Sequence, residues 1–217
     1  MKIALIGTTG FVGKHVLTEL VNRGHQVTAI CRNPAQLDIV SSLITPIQGD
    51  VTDAATVAKI VEGHDAVISA FNAGWSNPNL YNDFMAGSQA IEKGIKATAV
   101  KRLLVVGGAG SLEVAPGVEL IDTPAFPEAY KAGASAARDY LQLLKQDTQL
   151  DWTFLSPAIE MGPHNSGKRT GHYRTGLNNP VFDEQQRSRI SVEDLAVAIV
   201  DEIEHPQFIQ QRFTVAY

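Results

Sequence analysis

Ile3-Ala4-Leu5-Ile6-Gly7-Thr8-Thr9-Gly10-Phe11-Val12-Gly13 is a run of four strand-type apolar residues leading straight into a Gly-x-x-Gly-x-x-Gly turn. After the turn, Val12, Val16, Leu17 and Leu20 recur at helical spacing, with Lys14, Thr18, Glu19 and Asn22 on the other face. Gly24 ends that helix, and Gln26-Val27-Thr28-Ala29-Ile30-Cys31 reads as a second strand. Strand, glycine turn, helix and strand in this order present the backbone N–H groups of a helix N-terminus to an anion. Gly7 permits the tight turn, Gly10 lets phosphates approach the backbone, and Gly13 lets the helix pack closely on the sheet. The arrangement implies a bound dinucleotide; a glycine-rich loop that binds nothing is the bland alternative.

The rest of the chain extends the pattern. A helix is expected around Ala35–Ser41, a strand near Thr45–Gln48, and a helix over Ala54–Val61 capped by Thr52 or Asp53. Ala66-Val67-Ile68-Ser69 is a fourth strand; a long helix follows from about Leu80 to Thr98, then a fifth strand over Arg102–Val106 ending in Gly107-Gly108. A helix over Glu128–Lys145, a strand at Trp152–Leu155, a helix over Val192–Glu204 and a strand at Arg212–Val215 complete the order. Short Val/Ile/Leu runs alternating with helices predict a single α/β domain spanning residues 1–217, a Rossmann-type doubly wound, mostly parallel sheet with helices on both faces. Residues 157–189 break the rhythm with glycine, polar and turn residues. A segment of that length, following a strand, is expected to cover the substrate.

Composition narrows the class. The 217 residues are 44% hydrophobic and 19% charged with a net charge of -5, and no basic patch suggests nucleic acid. A single cysteine, Cys31, rules out an intramolecular disulfide framework. No apolar run is long enough for a membrane helix, and the first one flows into the glycine turn rather than a cleavage site, so a cytoplasmic location is expected. The six histidines are scattered, and no metal site is expected.

With these residues placed, the chain resembles the atypical, NmrA-like branch of the short-chain dehydrogenase/reductase superfamily, in particular its small NADH-flavin reductase-like and NAD(P)-binding epimerase-like members. The likeness runs from end to end. Its carriers are Gly7–Gly13, Gly49-Asp50-Val51, Val67-Ile68-Ser69-Ala70-Phe71, Val105–Ser111, Leu150–Pro157, Thr170-Gly171-His172-Tyr173-Arg174 and Ile190–Ala196. The resemblance implies that Asp50 contacts the adenine amino group, Val51 its face, and Ala70 and Phe71 the adenosine ribose side; Asp50 is otherwise a turn aspartate. The expected cofactor-binding set is Gly7, Thr8, Thr9, Gly10, Phe11, Val12, Gly13, Arg32, Asp50, Val51, Ala70, Phe71 and Gly107.

Cofactor preference is written at the end of the second strand, where an acidic residue binds free ribose hydroxyls and an arginine accommodates a further phosphate. Cys31-Arg32-Asn33 carries no carboxylate, so NADP(H) is favoured over NAD(H), with Arg32 pairing to the phosphate; a solvated surface arginine is the alternative.

Standard members of the wider superfamily use a tyrosine and a lysine four positions later on one helix. Here Tyr130 opens the corresponding helix, but Ala134 stands where the lysine belongs, and Lys131 points elsewhere. Alcohol oxidation and sugar epimerisation thereby lose their usual acid and base. Hydride transfer to a flavin or quinone asks mainly that two flat rings be aligned, the flavin being a substrate rather than a tightly held group. Trp75, His164, His172, Tyr173 and Arg174 are candidates for such a platform, Trp75 being alternatively a packing anchor and each histidine a surface residue. Ser111 and Tyr130 are the remaining catalytic candidates, Ser111 being equally readable as a turn serine. Ser191 with Asp194 three positions later reads as a helix N-cap and a first-turn acid. The expected activity is NADPH-dependent reduction of a small-molecule flavin or quinone-like acceptor, without nucleic-acid or membrane partners. A non-catalytic NAD(P)-binding redox sensor, which would need a protein partner, is the alternative, and a nucleotide-sugar epimerase or dehydratase a third.

Overall fold

Apolar runs too short for helices become strands, and they pair in an order that puts both strands of the opening βαβ unit inside the sheet, away from its edges. The computed structural model describes all of residues 1–217. The elements in chain order are β1 (Lys2–Ile6), α1 (Phe11–Asn22), β2 (Gln26–Cys31), β3 (Ile44–Gln48), α2 (Ala54–Val61), β4 (Ala66–Ser69), α3 (Leu80–Lys96), β5 (Arg102–Val106), β6 (Glu113–Ala115), β7 (Val118–Glu119), α4 (Glu128–Leu144), β8 (Asp151–Ser156), β9 (Arg174–Gly176), α5 (Val192–Glu204) and β10 (Gln211–Ala216). Eight strands form one sheet in the order β3-β2-β1-β4-β5-β8-β10-β9. All neighbours run parallel except β9, which pairs antiparallel with β10 at the edge.

Strand order reverses between β1 and β4, with Ile6 opposite Ser69, and a parallel sheet opens a crevice at the carboxyl ends of the strands there. The core lies in two layers. Ile3 and Leu5 face Val16, Leu17 and Leu20 of α1 and Leu195, Ile199 and Ile203 of α5. Ala4 and Ile6 face the other way, toward Val57 of α2, Phe84 and Ile91 of α3 and Tyr140 of α4. Successive residues of a buried strand serve opposite layers, which is why β1 is apolar at every position from Ile3 to Ile6.

Three features differ from the sequence expectation. Residues 35–41 form no α-helix: a single 3-10 turn over Pro34–Gln36, capped by the Asn33 side chain, gives way to irregular chain carrying the β-branched Ile39 and Val40. A hairpin, β6 and β7, stands between β5 and α4, turned by Gly117 at φ +71. Residues 157–189 contain β9 and are tied down in their middle. Arg169 donates to Glu19 of α1 at 2.8 and 2.7 Å, and the Gly167 amide donates to Glu193 of α5 at 2.7 Å.

Caps follow the sequence closely. Asp53, rather than Thr52, caps α2 by accepting from the Ala55 and Thr56 amides. Ser191 caps α5 by accepting from the Asp194 amide at 3.1 Å. Asp194 itself does more than sit in the first turn: its buried carboxylate accepts from the Thr170 amide and hydroxyl, the Gly171 amide and the Tyr217 hydroxyl, which holds its carboxyl below the usual aspartate range against the opposing effect of burial.

Candidate cofactor and acceptor site

The turn after β1 is built for backbone approach. Gly7 adopts φ +83, and a Cβ on it would stand 2.4 Å from the carbonyl oxygen of Ala70; on Gly13 a Cβ would stand 2.0 Å from the Gly7 oxygen. Neither position admits a side chain. Gly10 is exposed and meets only the Gly7 oxygen, at 3.3 Å, so its outer side is open to a ligand. Gly10 also precedes α1 without a side-chain cap, and no acidic residue occupies the first turn. The amides of Thr8, Thr9, Phe11, Val12 and Gly13 find no acceptor within the protein, and the buried Thr8 hydroxyl has no partner. Unsatisfied N–H groups at the positive end of a helix suit a pyrophosphate, so the residues present fit a dinucleotide.

The adenosine side is reached from neighbouring strands. Arg32, just past β2, is exposed and enters no ion pair or hydrogen bond with the protein. Asp50, past β3, accepts the Thr52 amide at 3.0 Å and the Thr52 hydroxyl at 2.7 Å on one oxygen, and these bonds hold its carboxyl below the usual range. Its turn role is thus occupied by Oδ1, while Oδ2 has no protein donor. Val51 and Ala70 are half-buried, and the Phe71 ring stacks on Phe84 against Gly87, where a Cβ would stand 2.5 Å from the ring. Gly107 has a packing reason of its own: a Cβ there would fall 2.0 Å from the Phe154 ring.

Past β4 and at the start of α4 two large aromatic side chains meet in the open. Trp75 is 61% exposed and packs edge-to-face with Tyr130, their centroids 5.4 Å apart. The indole lies against Gly133, whose missing Cβ would stand 2.8 Å from it. One helical turn beyond Tyr130, Ala134 packs against Gly110. Lys131 pairs instead with Glu128 at 2.7 Å, so Tyr130 has no lysine beside it.

The other platform candidates do not gather here. Tyr173 donates to Asp201 at 2.5 Å, and burial with that carboxylate pushes its phenol well above the usual tyrosine range. Arg174 donates to the carbonyl oxygens of Phe182 and Tyr217 beside β10, and His172 is exposed next to them. Sheet order sets this group at the β9 edge, with β5, β8 and β10 between it and β4. His164 is exposed on a single 3-10 turn over Pro163–Asn165. Of the expected platform residues only Trp75 stands here, beside the catalytic candidate Tyr130. Ser111 is buried, and its carbonyl and hydroxyl oxygens accept from Arg212 at 3.0 and 3.3 Å, so it is engaged inside the fold. Sequence reasoning missed Arg212, whose place on an alternating strand gave no signal of burial. No helix is long and apolar enough to cross a membrane.

A glycine turn at the strand-order reversal, leading into a helix with free amides, defines a Rossmann-type NAD(P)-binding protein of the oxidoreductase superfamily. The chain belongs to the NAD(P)H-binding family, whose model matches residues 7–206. It is 41% identical to YwnB of Bacillus subtilis, an uncharacterized protein, over 99% of this chain and 98% of that one. Among solved structures, a protein from Streptococcus pneumoniae provisionally named an NADH-flavin reductase superposes with a TM-score of 0.87 at 36% identity, covering 100% of this chain and 99% of that chain. A protein from Burkholderia pseudomallei superposes with a TM-score of 0.87 at 45% identity over 100% of both chains and is provisionally named an exported protein. That name overturns the cytoplasmic expectation, which rested on the want of a leader-like run in these residues, a feature that does not fix where a fold of this kind works.

Proposed function

We propose that the protein is an NADPH-dependent reductase of a flavin or quinone-like acceptor. The observation that carries this reading is Ala134, packed on Gly110 beneath Tyr130, which removes the acid–base pair needed for alcohol chemistry and leaves an open indole face close by. The bound cofactor supplies a hydride; the chain aligns an acceptor ring on Trp75 and leaves protonation to solvent. Arg32, exposed and unpaired, pairs with the additional phosphate of NADPH. Residues 157–189 shield the acceptor side. The Streptococcus pneumoniae relative's name supports reduction of a flavin, although it specifies NADH.

The test is oxidation of NADPH, followed by loss of its near-ultraviolet absorbance, on addition of FMN, riboflavin or menadione. Turnover with at least one acceptor, faster with NADPH than NADH, is expected. No turnover with any of them sinks the proposal.

A further inference from the structure

Arg212 of β10 is a buried cation with no anionic partner. Its Nε and Nη2 donate to Asn178 Oδ1 at 3.2 and 2.8 Å, and Nη1 donates to the Ser111 carbonyl and hydroxyl oxygens. Glu113 and Glu119 act on it only from beyond ion-pair distance. One N–H on Nη2 is left without an acceptor. Burying a charge against neutral acceptors alone is costly, and natural proteins normally pair it.

Two further donors stand on the same face. Ser156, the last residue of β8, and Thr214 of β10 are register partners, both 0% exposed, and neither hydroxyl has a hydrogen-bond partner. Thr214 is two residues beyond Arg212, so both project from one side of β10, and the parallel register puts Ser156 on that side too. A buried hydroxyl left without a partner destabilises the fold unless something else satisfies it. Ser156 ends β8 with Thr214 opposite it and Arg212 opposite Phe154, so the group lies near the carboxyl end of β8, beside β5 and its Gly107 turn, on the side of the sheet where an acceptor would meet a bound cofactor. The covering turn, residues 177–181, is held to β6 by Glu113 N–H donating to the Asn178 carbonyl and Asn179 Nδ2 donating to the Glu113 carbonyl, both at 2.9 Å.

We propose that Arg212, Ser156 and Thr214 form an oxyanion cradle for a quinone-type acceptor. This rests on the reductase reading and narrows its acceptor class. With only one N–H free, the guanidinium takes a single oxygen and no bidentate carboxylate, and two hydroxyls complete the donor set. When the acceptor is reduced, the nicotinamide C–H bond breaks with its electron pair and an acceptor–H bond forms at one carbonyl oxygen. The ring becomes aromatic, the far carbonyl oxygen takes the negative charge, and the cofactor is left oxidised. The three donors hold that oxygen until water supplies its proton.

The probe is 4-nitrophenol, whose phenolate is followed by its visible absorbance, titrated into the NADP⁺-loaded protein. Wild type is expected to bind the phenolate and to shift its ionisation to lower pH. The Ser156→Ala/Thr214→Val double variant, which removes hydroxyls without partners and so keeps or raises the thermal midpoint, is expected to bind phenolate about tenfold or more weakly, the loss of hydrogen bonds to a charged group. NADP⁺ affinity, measured on the same samples, stays the same. A wild type that binds no phenolate, or a double variant that binds it equally well, overturns the cradle. Acceptor turnover is read separately, so that its absence defeats the reductase reading, whereas undiminished phenolate binding by the double variant defeats the cradle alone.

Discussion

The Cβ of Ala134 lies 2.9 Å from where a Cβ on Gly110 would stand, so α4 rests directly on the turn that follows β5. A long side chain at position 134 has no room to pass between them. Ala134→Lys is therefore expected to cost about 1–3 kcal/mol through overpacking and a buried amine, without creating alcohol oxidation. Urea unfolding measures the first effect and an alcohol-dependent NADP⁺ reduction assay the second. A stable variant that oxidises alcohols would contradict the proposed division of labour.

Arg32 projects into solvent with no internal partner, so its removal leaves the fold untouched. Arg32→Ala is expected to weaken NADPH binding about ten- to a hundredfold, the range for hydrogen bonds to a charged group, while NADH binding barely changes. Calorimetric titration with both cofactors decides it, and an equal loss for both would remove Arg32 from the phosphate site.

The two tryptophans are optically separable by burial, Trp75 being 61% exposed and Trp152 2%. Adding FMN or menadione is expected to quench the Trp75 part of the fluorescence, and Trp75→Leu to abolish that quenching and raise the KM for acceptor about tenfold, the upper end of what one aromatic stacking contact contributes. NADPH affinity is expected to be unchanged. Quenching that survives in Trp75→Leu would place the acceptor elsewhere.

What could be read from the amino acids alone divides along a physical line. The βαβ opening, the parallel strands and the Asp53 and Ser191 caps are local patterns, and they were legible because spacing and cap chemistry act within a few residues. The Ala35–Ser41 segment misled because its composition permits a helix while only Leu37 and Ile39 rest on the core, at the alternating spacing of extended chain, and Val40 is 99% exposed. His172, Tyr173 and Arg174 looked like a site because they cluster in sequence, but β9 pairs at the sheet edge and draws them away from Trp75. Arg212, Ser156 and Thr214 share one sheet face only through the β8–β10 register, which no local spacing announces.

His64 sits buried with Nδ1 near the Val61 carbonyl at 2.9 Å and Nε2 near the Thr28 hydroxyl at 2.7 Å, and burial pulls its pKa below the ordinary value of 6.5. The unfolded chain then binds the proton more readily than the folded one. Stability is full above the unfolded value and declines as pH falls from there toward the lower folded value. Urea midpoints between pH 7 and pH 5 are expected to drop more steeply for wild type than for His64→Gln. Parallel slopes would assign the loss to other groups.

The Gly7 turn is closed from above by Ala70, a residue more than sixty positions later. A fragment ending before β4 would carry every glycine of the motif and still lack the wall that shapes the turn. The cradle for the cofactor is thus a late product of folding, assembled only when a distant strand docks beside β1. Cofactor added to a refolding chain should accordingly leave the early steps unhurried and act as a latch on the finished sheet, slowing its unfolding.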